Sequence, residues 1–156
     1  MSASMFNYRF SILLIDGHDK DRQYYAHRLT VCSSEYEVFE AANGQSGLRI
    51  YKACDIDCVV LEIDLPGRSG LNVLSDLAPI ARHPEIAVII LTHLHFRSLH
   101  EAALRNGAFA VLYKPLTSGD LLNDTIMNAV SAIPRDYKKA QPLNERRDRE
   151  EQMGSF

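Results

Sequence analysis

The sequence predicts a single doubly wound α/β domain, a five-stranded parallel sheet covered by helices on both faces. Three observations carry this. Four short apolar runs recur along the chain: Ile12-Leu13-Leu14-Ile15, Val59-Val60-Leu61, Val88-Ile89-Ile90-Leu91 and Ala110-Val111-Leu112. Their hydrophobicity is continuous rather than alternating, as expected of strands buried on both faces. The segments between them carry helical spacing, and right-handed β-α-β crossovers then place helices on both sides of one sheet.

Taken in order, the first run is a strand over Ile12–Ile15, followed by a helix over about 19–31. Tyr36 to Ala41 is the second strand; Glu37 and Glu40 within it fit a sheet edge better than a centre. A helix follows over 44–53, then the strand Val59–Leu61 and a helix over about 69–77. After Val88–Leu91, Phe96, Leu99 and Ala103 stand at i, i+3 and i+7, and Asn106-Gly107 supplies a left-handed stop. After Ala110–Leu112, Leu122, Ile126, Val130 and Ile133 line a last helix, capped by Thr117 or Ser118 and ended by Pro134. Residues 1–9 read as a polar-aromatic extension and 10–133 as the domain. Residues 134–156, with mixed charge and few apolar anchors, read as a tail or a linker to an effector module.

Composition excludes several classes. With 156 residues there is chain enough for one cored domain. A formal net charge of −3 offers no basic field for nucleic acid or an anionic membrane surface. The segment before Phe10 is too short for a signal peptide, and no apolar run approaches a membrane span. Cys32, Cys54 and Cys58 read as reduced thiols, which places the protein in the cytoplasm. A zinc site on Cys54 and Cys58 lacks nearby partners in sequence.

In an open α/β sheet, ligands bind beyond the carboxyl ends of the strands. The first strand leaves through Asp16-Gly17-His18-Asp19 and the third through Glu62-Ile63-Asp64. The fourth leaves through Thr92-His93 and the fifth through Tyr113-Lys114-Pro115. Carboxylates, a hydroxyl and an ammonium thus converge on one pocket. Such groups suit the holding of a phosphoryl group, with acids for a metal and a lysine for phosphate oxygens.

These features, together with the P-G-x-S-G after Glu62, the Lys-Pro at Lys114, and the N-G pairs at Asn43 and Asn106, resemble the receiver domain of bacterial response regulators over about residues 10–133. The resemblance implies a flavodoxin-like sheet order of 2-1-3-4-5. It also implies an aspartate that takes phosphate from a histidine kinase with Mg²⁺, and an output face made by the fourth and fifth helices. Carried over by position, Asp16 matches the first of the family's acidic pair, Lys114 the phosphate-binding lysine, Thr92 the switch hydroxyl and Tyr113 the aromatic switch.

Three positions depart from that pattern. Gly17 stands where the family has its second acid, usually a direct metal ligand. Glu62 replaces the acceptor aspartate, and His93 replaces a small residue. Mg²⁺ demands near-ideal octahedral oxygen coordination through few carboxylates, so losing one weakens it severely. Glutamate carries its carboxylate about 1.5 Å further out, one C–C bond, toward where the phosphoryl group would lie. The expectation is a non-enzymatic pseudo-receiver that needs no cofactor, any Mg²⁺ at Asp16, Glu62 and Asp64 being weak or absent. Glu62 would act as a permanent carboxylate beside Lys114. Its partners would be a histidine kinase or effector domain, or a second copy through the fourth-helix face, and not nucleic acid or membrane.

The alternative is a working acceptor that uses Glu62 or Asp64 with Mg²⁺. On the pseudo-receiver reading, Glu62→Asp alone does not restore phosphorylation, Glu62→Asp with Gly17→Asp restores some, and His93→Ala adds to it. His18, His93 and His95 are expected to be ordinary loop histidines. The sharper alternative has His93 or His18 joining Asp16 and Glu62 around a transition metal. Tyr24, Tyr25 and Phe96 are expected as core or half-exposed packing residues, and Asp57 as a solvated turn residue.

Overall fold

The computed structural model describes residues 10–133; the expected extension and tail lie outside them. Five β-α units follow one another. They are β1 (Phe10–Ile15) and α1 (Asp19–Cys32), β2 (Tyr36–Ala41) and α2 (Gly44–Ala53), β3 (Cys58–Leu61) and α3 (Gly70–Leu77), β4 (Ala87–Thr92) and α4 (Arg97–Arg105), and β5 (Ala110–Tyr113) and α5 (Gly119–Ala132), with a 3-10 turn at Lys114–Leu116. All strand pairs are parallel and the order is β2-β1-β3-β4-β5, as the resemblance implied. The glutamate-bearing β2 is an edge strand.

The unbroken apolar runs have a direct structural meaning. Successive side chains of a strand point to opposite faces, so each run feeds two cores. Leu13, Ile15, Val59, Leu61, Val88 and Ile90 face Leu48 of α2, Val73, Leu74 and Leu77 of α3, and Ala103 of α4. Ile12, Leu14, Val60, Ile89 and Leu91 face Tyr25 and Leu29 of α1 and Leu122, Ile126 and Val130 of α5. Among the described residues no helix is long and apolar enough to cross a membrane.

Helix ends are held by their own chemistry. The side chains of Asn43, Ser69 and Ser118 accept from Ser46, Leu71 and Leu121 N–H at the starts of α2, α3 and α5. The stop after α4 is a Schellman turn. Gly107, at φ 105°, donates to Leu104 O at 3.3 Å, and Ala108 donates to Ala103 O at 3.1 Å.

Tyr25 is buried, while Tyr24 and Phe96 are half-exposed at 52% and 59%, with the Tyr24 ring edge to face on Tyr25. One expectation is corrected. Asp57 is buried, because its backbone N–H donates to Ser11 O while its carboxylate accepts from Ser11 N–H at 2.8 Å. It extends the β1–β3 ladder by one step.

Candidate functional site at the strand ends

Register brings the pocket together. Ile15 pairs with Leu61, and Thr92 with Tyr113, so Asp16, Glu62 and Lys114 each stand one residue beyond a paired strand end. Glu62 N–H donates to Ile15 O at 2.9 Å and Asp16 N–H to Ala41 O at 3.0 Å, which fixes both carboxylates at the same level. Tyr25 Oη donates to Thr117 O at 3.0 Å and so holds the turn that follows Lys114.

Lys114 is the centre of the arrangement. Its buried ammonium lies 2.7 Å from Asp16 Oδ2, 2.9 Å from Asp21 Oδ2 and 2.9 Å from Glu62 Oε2. An ammonium has three donors, and each has a carboxylate. Burial alone would lower its pKa, but the hydrogen bonds to Asp16, Glu62 and Asp21 outweigh it and the net direction is up.

Glu62, at 1% exposure, is equally well supplied. Oε1 accepts from the Thr92 hydroxyl in a short hydrogen bond and from Asp64 N–H at 3.0 Å. Oε2 accepts from His93 N–H at 3.2 Å and faces Lys114 and His93 Nδ1. Desolvation would raise its pKa. The bonds from Thr92, Asp64 N–H and Lys114 together reverse that, and the carboxyl is held below its ordinary value. Thr92 is itself fully buried, and its hydroxyl also accepts from Leu94 N–H at 3.1 Å.

The remaining sequence candidates lie at the rim. Asp64 is exposed, with Oδ2 3.3 Å from His93 Nε2. Tyr113 is half-buried and its ring faces His95 at 4.5 Å between centroids. Gly17 is sterically enforced: a Cβ there would stand 2.7 Å from Pro66 Cδ and 3.3 Å from Ala42 O. An acid at this position requires the β3–α3 loop to move.

The histidines are not ordinary loop residues. His18 Nδ1 lies 3.2 Å from Asp16 Oδ1, His93 bridges Glu62 and Asp64, and their rings meet edge to face at 4.9 Å. Asp21 on Lys114 was missed by the sequence reading. Its signal was the acidic first turn of α1, Asp19-Lys20-Asp21, directly after the Asp16 strand end.

A Mg²⁺ ion belongs, by family, among the acids of this pocket. The donor set here does not fit one. The inner oxygens of Asp16 and Glu62 face an ammonium whose every donor they share with Asp21, and Gly17 contributes no oxygen from its side chain. Cation and ammonium would compete for the same atoms.

Comparison with known proteins agrees with this architecture. The chain is 30% identical over 116 residues to the nitrate/nitrite response regulator protein NarL of Escherichia coli strain K12, covering 72% of this chain and 51% of that one. It is 32% identical over 88 residues to the transcriptional regulatory protein PdtaR of Mycobacterium tuberculosis strain H37Rv, covering 56% and 42%. The chain therefore spans about half the length of the curated relatives it matches. A response regulator receiver domain from Clostridium thermocellum superposes with a TM-score of 0.69 at 31% identity, covering 84% of this chain and 98% of that one. A CheY-like receiver from Methanospirillum hungatei JF-1 shows the same fold at 20% identity, with a TM-score of 0.72 over 81% of this chain and 98% of that one. The response regulator receiver domain family matches residues 12–125, from the first strand into the last helix, and the chain belongs to that family, the receiver domains of two-component systems.

Proposed function

We propose that this receiver works without being phosphorylated, as a signalling module that acts by protein–protein contact with a kinase or effector domain. The observation that carries this is the occupancy of Glu62. Its carboxylate already holds Thr92 and Lys114, the hydroxyl and ammonium that the family resemblance assigns to the phosphoryl group. Glu62 supplies one negative charge where a phosphoryl group supplies about two, so it imitates the modification in position more fully than in charge.

The metal side supports the same reading. Phosphoryl transfer rests on placement and on neutralising charge, and both depend on Mg²⁺ in the family's chemistry. With Gly17 packed on Pro66, and one oxygen each of Asp16 and Glu62 taken by Lys114, the pocket offers that ion fewer carboxylate oxygens than the family pattern does. Asp64, the other acid at the strand end, directs its carboxylate to His93 at the rim.

The test is intact mass after incubation with acetyl phosphate and Mg²⁺. The expected spectrum shows the unmodified chain. A stoichiometric phosphoryl adduct mapped to Glu62 or Asp64 would overturn the proposal.

A further inference from the structure

We propose that His18, His93 and Asp64 form a binding site for a divalent transition-metal ion of the zinc type, at the mouth of the strand-end pocket and separate from any Mg²⁺ site. One ligand atom from each of the three residues lies within 4.8 Å of the others. His93 Nε2 and Asp64 Oδ2 stand 3.3 Å apart. That is the edge of a tetrahedron whose corners lie about 2.0–2.1 Å from its centre, the usual distance of zinc from nitrogen and oxygen ligands. Imidazole ligands favour zinc, copper or nickel over magnesium, which takes oxygen.

The groups behind the two rings are placed as such a site needs. Nδ1 of His18 faces Asp16 Oδ1 and Nδ1 of His93 faces Glu62 Oε2, each at 3.2 Å. Both acceptors are buried carboxylates, which only accept, so a metal at Nε2 would leave each ring donating from Nδ1, and at His93 it would take the place of the Nε2 contact with Asp64. Carboxylate–histidine–metal relays of this kind fix the tautomer and raise ligand basicity. Local charge adds to this. Asp16, Asp21 and Glu62 gather around one ammonium, Asp64 adds a further carboxylate at the rim, and Arg22 is engaged by Asp19 and Glu40. The three ligand side chains are 46%, 39% and 55% exposed, which leaves room for arrival and for a water as fourth ligand.

A bound ion would join the β1–α1, β3–α3 and β4–α4 loops above Glu62. The three ligands are His18, His93 and Asp64, and Glu62 enters only as the carboxylate behind His93 Nδ1.

The experiment is a titration of the full chain, freed of metal by chelator, with Zn²⁺ alone against a chromophoric competitor, repeated with Co²⁺ by visible spectroscopy. One equivalent is expected, with a tetrahedral Co²⁺ spectrum and both His18 and His93 Nε2 resonances shifted in ¹⁵N NMR. His18→Gln, His93→Gln and Asp64→Asn should each weaken binding at least tenfold. Glu62→Gln, which removes the carboxylate behind His93 Nδ1, should weaken it by about 10–100-fold, and His95→Gln should leave it unchanged. The proposal is overturned by the absence of saturable binding below about 1 mM, or by binding that survives in the His18→Gln/His93→Gln double variant. Acetyl phosphate labelling with Mg²⁺, run alongside, reports on phosphorylation independently of either outcome.

Discussion

Lys114 holds together residues that would otherwise repel one another. Asp16 and Glu62 are buried carboxylates at neighbouring strand ends, and the ammonium between them is 7% exposed. Breaking a buried pair leaves uncompensated charge and costs about 3–5 kcal/mol, so Lys114→Met is expected to lower unfolding free energy by that order in urea denaturation. The pH dependence follows from the two shifts. The Glu62 carboxyl is depressed, so its contribution is complete above the unfolded value of about 4.3 and is lost as pH falls through the depressed folded value. The Lys114 ammonium is raised, so its contribution is complete below about 10.4 and is lost as pH rises through the folded value. Thermal melts of wild type and Glu62→Gln should therefore differ by a constant amount between about pH 5 and 10 and converge in acid.

The elements around the pocket are set by close backbone approach. A Cβ at Gly70 would stand 2.2 Å from Glu62 O and 2.6 Å from Ile63 Cα, so the first turn of α3 packs directly on the strand end. Gly70→Ala is expected to destabilise the domain and to shift the amide resonances of Glu62 and Thr92. Its effect on stability should exceed that of Ser69→Ala, a lost helix cap worth about 1 kcal/mol. The contact between Gly17 and Pro66 alters the reversion expected from sequence. Restoring an acid at position 17 adds a side chain against a proline ring. Glu62→Asp with Gly17→Asp is thus expected to melt lower than Glu62→Asp alone, and to gain Mg²⁺ binding only if Pro66→Ala accompanies it. Equal melting temperatures and full metal binding in the double variant would contradict this steric account.

Across the whole molecule, the core was legible because a two-sided sheet writes itself as unbroken apolar runs. Leu13 and Leu14 belong to opposite cores. Either core should feel truncation alike, and Leu74→Ala or Leu29→Ala, both fully buried, is expected to cost about 2–5 kcal/mol. The strand-end residues were legible too, since topology alone brings Asp16, Glu62, Thr92 and Lys114 to one edge. The rim was not. His93 and His18 were visible as strand-exit residues but their contacts were not, and Asp21 reaches the pocket through the first turn of α1, which no periodicity encodes. Asp57 misled for a similar reason, because a charged residue before a strand looks solvated until its bond to Ser11 is seen.

The two-state logic of a receiver makes one claim central, that Glu62 permanently fills the place of a phosphoryl group. Beryllofluoride with Mg²⁺, followed by ¹H–¹⁵N NMR of the wild-type chain, addresses it most directly. The account predicts spectra unchanged at Thr92, Tyr113 and Lys114, while Glu62→Gln shifts all three without any addition. Saturable, stoichiometric shifts in the wild type on adding beryllofluoride and Mg²⁺ would contradict it.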